Sequence, residues 1–335
     1  MNKPRNTKPD NSLGRRKFIN MVGGVAAVPI LGGLPRLAWS DETPKTPQAE
    51  SLVTEFYSTL SEKQISSICF PFEHPLRHRI NPNWHVTEPR IGDDFYSAAQ
   101  QDLISRIVGS ITSEEGYRRL LEQMDDDSGG IQDYSVAIFG EPGRGDFEWE
   151  LTGRHVTLRA DGNSVEKAAF GGPIVYGHGE PDPKHNLYHY QTQKANEVLQ
   201  ALDPAQVKKA LLKKAPKEGS IELQGQSGKF EGIAASDLSG DQRSLVKETL
   251  EVLLAPYRVE DRREVMDILE SSGGIDDLNM AFYQQGDLND DRVWDMWRVE
   301  GPSFVWNFRG APHVHAYINI GMIKEPSKSA STDRA

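Results

Sequence analysis

The chain has 335 residues, with 38 Lys/Arg against 49 Asp/Glu and a formal charge of −11. Its first 40 residues carry seven of those cations and one acid, so the remainder holds 31 basic against 48 acidic residues, a charge of −17. Such a surface repels nucleic-acid phosphates and anionic lipid headgroups, which excludes both as general partners. The single cysteine, Cys69, excludes an intramolecular disulfide and any metal site built on two thiolates, so a metal must rest on His, Asp and Glu.

The N-terminal stretch has a secretory pattern. Ser12-Leu13-Gly14-Arg15-Arg16-Lys17-Phe18-Ile19 sets an arginine pair before a bulky apolar residue, and a Gly/Ala-rich apolar run extends from Ile19 to Leu34. Ala38-Trp39-Ser40 then offers small residues at the two positions a signal peptidase reads. Residues 1–40 are therefore expected to be a twin-arginine signal peptide, which engages the twin-arginine export machinery and delivers a folded protein to the periplasm or the exterior. The apolar run of 16 residues is at or below the shortest bilayer span. Cleavage after Ser40, with no stable membrane insertion afterwards, is favoured over a retained anchor.

Residues 41–335 are expected to form one α+β body, with a disordered tail over 322–335. Ala49–Ile65 carries Leu52, Val53, Phe56, Tyr57, Leu60 and Ile65 at helical spacing. The Pro-, His- and Arg-rich stretch Cys69–Glu88 predicts a long loop laid over the body. Asp93–Ile111 and Ser113–Met124 predict a helix pair, the second with Ser113 as N-cap. Strands are expected at Tyr134–Phe139, Asp146–Leu151, His155–Leu158 and Val165–Phe170. The pattern then recurs, with helices at Leu187–Leu202, Pro204–Lys214, Asp241–Leu254 and Asp261–Leu269. Strands follow at Leu278–Tyr283, Val293–Val299, Ser303–Phe308 and Val314–Ile320.

Residue identities recur as well. Ser128-Gly129-Gly130-Ile131-Gln132-Asp133 and Ser272-Gly273-Gly274-Ile275-Asp276-Asp277 lie 144 positions apart, and the same offset pairs Arg118-Arg119 with Arg262-Arg263. After a four-residue insertion, Trp149-Glu150-Leu151-Thr152-Gly153 matches Trp297-Arg298-Val299-Glu300-Gly301. This predicts an internal duplication: two pseudo-symmetric halves, about 49–175 and 187–321, each a helical layer followed by an antiparallel β-meander.

The sharpest chemical feature is His313-Val314-His315 after Gly310-Ala311-Pro312. Residues two apart on a strand share a face, so the two imidazoles stand side by side, as two ligands of one metal or as a hydrogen-bonding pair. His155 begins a strand after a tight turn and is a third candidate, brought in if the hairpins at His155 and Ser303 meet between the halves. His178, His185 and His189 are a second possible centre, provided His185 and His189 lie on one helix. His85 beside Trp84 is a pocket candidate, whereas His74 and His78 suit solvent or acidic neighbours. P-loop, Gly-x-Ser-x-Gly and His-Glu-x-x-His signatures are absent.

Asn83-Trp84-His85, Phe139-Gly140-Glu141-Pro142-Gly143, Trp149 with Gly153-Arg154-His155, and Phe304-Val305-Trp306-Asn307 leading into His313-Val314-His315 occur in that order. Together they resemble a bacterial exported family known as domain of unknown function 3500, over about Phe70 to Ile320. The resemblance implies His85, His155, His313 and His315 as the motif positions. Family members usually carry Gly-His-His where this chain has Gly153-Arg154-His155, and Trp-Arg-Asp where it has Ala316-Tyr317-Ile318. No activity comes with the resemblance.

Two functions fit. In the first, an exported mononuclear metalloenzyme binds one divalent transition metal (zinc, copper or iron) through His155, His313 and His315. His85 is then a fourth ligand or general base, Trp84 and Trp149 wall the pocket of a small-molecule substrate, and Arg79 or Arg298 holds its anionic group. Zinc implies a hydrolase, copper or iron an oxidoreductase. In the second, a periplasmic binding protein without catalysis uses its tryptophans to stack a sugar or organic acid.

Overall fold

The computed structural model describes residues 49–162, 164, 165 and 167–323. The signal-peptide expectation lies outside the described residues, as does the tail apart from Met322 and Ile323. Helices α1 (Ala49–Ser58) and α2 (Glu62–Ile68) lead into a two-residue strand, β1 (Cys69–Phe70). After the 71–97 connection come α3 (Ala98–Ile111), α4 (Glu114–Ser128), β2 (Ser135–Gly140), β3 (Phe147–Gly153), β4 (Val156–Ala160) and β5 (Ile174–His178). The next run has the same order: α5 (His189–Gln200), α6 (Pro204–Ala210) and another two-residue strand, β6 (Leu211–Leu212). A 213–232 connection leads to β7 (Ile233–Ala234), α7 (Gly240–Leu254), α8 (Val259–Ser271), β8 (Asn279–Tyr283), β9 (Met296–Gly301), β10 (Phe304–Arg309) and β11 (Val314–Ile320).

Side-chain caps decide where helices begin. Ser61 and Ser97 form capping boxes with Gln64 and Gln100, and Asp203 and Ser239 do so with Gln206 and Gln242. The box at Ser61 divides the predicted Ala49–Ile65 helix in two, and Ser97 delays the start of the predicted 93–111 helix to Ala98. The glutamines also tie neighbouring helix starts together. Gln64 Nε2 donates to Gln100 Oε1 at 2.9 Å and to the Phe95 carbonyl at 2.6 Å. Gln206 Nε2 makes the same two bonds, to Gln242 Oε1 at 3.0 Å and to the Asp237 carbonyl at 3.3 Å, 142 positions further on.

The eleven strands among the described residues join one mixed sheet, in the order β1-β2-β3-β4-β5-β11-β10-β9-β8-β6, with β7 also on β8. The two short strands β1 and β6 pair parallel to β2 and β8, and the other pairings are antiparallel. Strand alternation divides the sheet into two faces. Val136, Trp149, Leu151, Val156, Trp297, Trp306 and Ile318 point into the large core beneath the helices. Ala137, Phe139, Val175, Val305 and Tyr317 point the other way, under the two long connections, where they meet Trp84, Val86 and Ile221. Those connections are pinned by hydrogen bonds, such as Trp84 Nε1 to Thr157 Oγ1 at 3.1 Å and Arg298 to the Ser220 carbonyl at 2.8 Å.

Two predicted elements end differently. Val165–Phe170 is not a strand; Ala169–Gly171 forms a single 3-10 turn with Phe170 at φ 60°, and the chain enters the sheet only at Ile174. The predicted Pro204–Lys214 helix stops at Ala210, because Leu211-Leu212 pair in parallel with Phe282-Tyr283. Among the described residues, no helix is long and apolar enough to cross a membrane.

Candidate metal centre

The β3–β4 hairpin turns on Arg154-His155, and His155 holds a left-handed backbone, φ 59°, which few non-glycine residues adopt. Its N–H donates to the Pro82 carbonyl in the first long connection. The ring enters at the end of β5, where two glycines make room. A Cβ on Gly177 would lie 2.2 Å from the Val314 carbonyl oxygen, and one on Gly179 would lie 2.6 Å from Asp127 Oδ1. On β11, His315 pairs in register with Gly177 of β5 and Arg309 of β10, on the sheet face away from the helices. His313 stands two residues before it.

Three imidazoles thus converge from segments 158 and 160 positions apart. Ring centroids are 5.1 Å apart for His155–His313, 4.9 Å for His155–His315 and 4.8 Å for His313–His315. One ring nitrogen from each lies within 4.8 Å of the others, and Nε2 of His313 is 3.1 Å from Nε2 of His315. Tetrahedral coordination at about 2.0 Å per imidazole separates ligand nitrogens by about 3.3 Å, close to that value. His155 and His315 are buried, whereas His313 is partly exposed, so the cluster opens to solvent on its side.

Carboxylates hold the outward nitrogens of two rings. His155 Nδ1 is 2.7 Å from Asp127 Oδ2, near the end of α4, and His315 Nδ1 is 3.2 Å from Glu218 Oε2, in the 213–232 connection. Burial acts to raise the Asp127 carboxyl, but bonds from His155, Gln123 and the Gly179 N–H hold it below its usual value. The hydrogen bond from His315 does the same for Glu218, against burial. An ionised carboxylate only accepts, so each Nδ1 carries the hydrogen, which leaves Nε2 as the ring nitrogen available to a metal. Burial and the neighbouring cations push His313 down to about 4, so its ring is neutral near pH 7. Arg309 ion-pairs with Glu218 at 3.2 Å, and Arg154 lies 3.9 Å from Asp127. Both guanidiniums act on His313.

The other nominated residues are engaged with partners outside this cluster. His85 Nε2 is 3.0 Å from the Asp133 carbonyl oxygen. Trp84 and Arg79 stack on each other, 4.6 Å from guanidinium to ring. Trp149 does not wall this site, since it is fully buried on the helix face of the sheet. Arg298 is spent on Glu300, Asn307 and the Ser220 carbonyl. His178, His185 and His189 form no second centre: His178 faces Asp126, His185 is exposed beside Asp182, and His189 lies 4.0 Å from Asp295. The hairpins at His155 and Ser303 also stay apart, because Ser303 accepts from the Gly321 N–H at the opposite end of β11. Asp127, Glu218 and Arg309 carry no local sequence signal that marks them as site residues.

The model of the family described as "Protein of unknown function (DUF3500)" matches residues 42–319. No curated protein and no solved structure matches the chain.

Proposed function

The chain belongs to the DUF3500 family, whose function is unknown, and we propose that it is an enzyme holding one divalent transition metal on His155, His313 and His315. The observation that carries this is the inward turn of three imidazoles, two of them oriented by carboxylates on Nδ1. Carboxylate–histidine pairs of this kind fix ring orientation and ligand basicity in metal sites. The donor set favours zinc. Both nearby carboxylates serve histidine Nδ1 atoms, unlike the two-His-one-carboxylate set of non-haem iron, and Cys69 lies in β1 at the sheet edge, out of reach as a copper thiolate. Three protein ligands with an open side suit hydrolysis, for which zinc lowers the pKa of a bound water toward neutrality. The guanidinium N–H groups of Arg154 and Arg309 border the site as donors, their charges matched by Asp127 and Glu218.

Metal content measured by mass spectrometry on the purified protein, beside His313→Ala and His315→Ala, tests this. The expected result is about one equivalent of zinc in the parent and a loss in both variants. A metal-free parent, or variants that keep the parent's metal, would return the histidines to a hydrogen-bonding role. The rival reading, a sugar-stacking binding protein, is less favoured because Trp149, Trp297 and Trp306 are fully buried in the core.

Two wider readings accompany this one. Ser12–Ile19 supports export by the twin-arginine route, with a small molecule as the partner outside the cytoplasm. The halves are read as copies of one ancestral unit, supported by the repeated glutamine contacts and by a strand order that runs alike from either edge. The site breaks that repeat, since Ser271 and Ser303 stand at the equivalents of Asp127 and His155.

A further inference from the structure

A cavity of about 220 Å³ lies beneath the 213–232 connection, against the sheet face that carries His315. Its walls include Glu218 and Arg309, the two residues that flank the histidines, together with Tyr283, Pro216, Met296 and Phe308. Strand register places the floor in one row: Tyr283 on β8 pairs with Met296 on β9, Met296 with Arg309 on β10, and Arg309 with His315 on β11. Adjacent strands are about 4.8 Å apart, so the row runs about 14 Å from the histidine cluster to Tyr283.

Two donors in this cavity lack acceptors. The Tyr283 hydroxyl and Arg309 Nε are both buried without a hydrogen-bond partner, and Tyr283 is 1 % exposed. A buried donor left unpaired carries a desolvation cost that an acceptor on a ligand would recover. The charge of Arg309 is already matched by Glu218 at 3.2 Å, so a second carboxylate would bring an unmatched negative charge beside Glu218. An uncharged carbonyl oxygen can accept from either donor without that repulsion. Met296, Ala215 and Pro216 supply apolar walls, and the volume exceeds the 150 Å³ or so that accommodates benzene.

We propose that this cavity binds the far end of the substrate of the histidine site, and that this end is a small, flat, uncharged carbonyl group such as an aryl amide or ester. The inference rests on the metal-enzyme reading for what happens at the other end. Benzamide is the probe, titrated by calorimetry into the purified protein, with benzoate as its charged counterpart. Metal content and cooperative unfolding are read in the same samples. Benzamide is expected to bind at least tenfold more tightly than benzoate. Tyr283→Phe should weaken it about tenfold, and Met296→Trp, which fills the cavity, should abolish it while unfolding stays cooperative. Absent benzamide binding, affinity indifferent to both substitutions, or benzoate binding as tightly as benzamide would overturn the proposal. Metal retained without benzamide binding removes the pocket and leaves the metal reading. Benzamide held through Tyr283 in metal-free protein does the reverse.

Discussion

At the scale of single residues, the carboxylates behind the histidines are the most informative positions. Asp127→Asn keeps the size of the side chain but replaces a carboxylate acceptor with an amide that can also donate. It is expected to lower metal affinity about 10- to 100-fold while leaving the stoichiometry at one, measured by competition with a chelator. A pure charge effect appears at Glu150, on β3. Neither oxygen of its carboxyl is hydrogen-bonded, although Arg159 lies 3.3 Å away, and burial pushes the group up to about 8. Unfolding returns it to about 4.3, so between those pH values the folded state holds the extra proton and stability falls as pH rises. Glu150→Gln should remove up to about 1.4 kcal/mol per pH unit of that decline, read from urea unfolding at pH 5 and pH 7.5. Sequence spacing made His313 and His315 legible as a pair, because strand alternation fixes their common face. It offered no access to Asp127 or Glu218, whose histidine partners lie 28 and 97 positions further along the chain.

At the scale of elements, helix starts carry much of the order. Gln64 and Gln100 each close a capping box and then bond each other, and Gln206 and Gln242 do likewise. Gln64→Ala and Gln100→Ala should each cost about 1–2 kcal/mol, and the double variant less than their sum, because both single changes break one shared bond. Chemical denaturation of the three variants measures the coupling. Helices and most meander strands were legible from periodicity, and Val314–Ile320 was predicted at its observed bounds. Among the strands longer than two residues, the one missed was β5. Ile174-Val175-Tyr176 is a short apolar run after Gly-Gly-Pro, without clean alternation, because both of its faces are covered. Trp149 was misplaced for a related reason: alternation puts it on the same face as Leu151, beneath the helices, whatever its suitability as a pocket wall.

For the whole molecule, two β-meanders were readable but the way they join was not. They meet through the β5–β11 pair, which makes one sheet out of two meanders. An isolated 41–181 segment would expose β5 as an open edge, together with the apolar face that β11 and its neighbours cover. It is expected to aggregate or stay unfolded, whereas the full chain should unfold in a single transition, both followed by circular dichroism in urea. The two outer strands of the sheet are only two residues long, which limits edge-to-edge pairing of whole molecules.

The seam also sets an order of events. His155 and His313 are 158 positions apart, and nothing local holds them together until β5 and β11 have paired. Closing so long a loop is among the last steps that folding can reward. The unfolded chain therefore presents scattered imidazoles rather than a site, unlike a zinc finger, whose ligands lie a few residues apart. If these histidines hold a metal, it is expected to arrive after the rate-limiting barrier, leaving the folding rate unchanged and slowing escape from the native state.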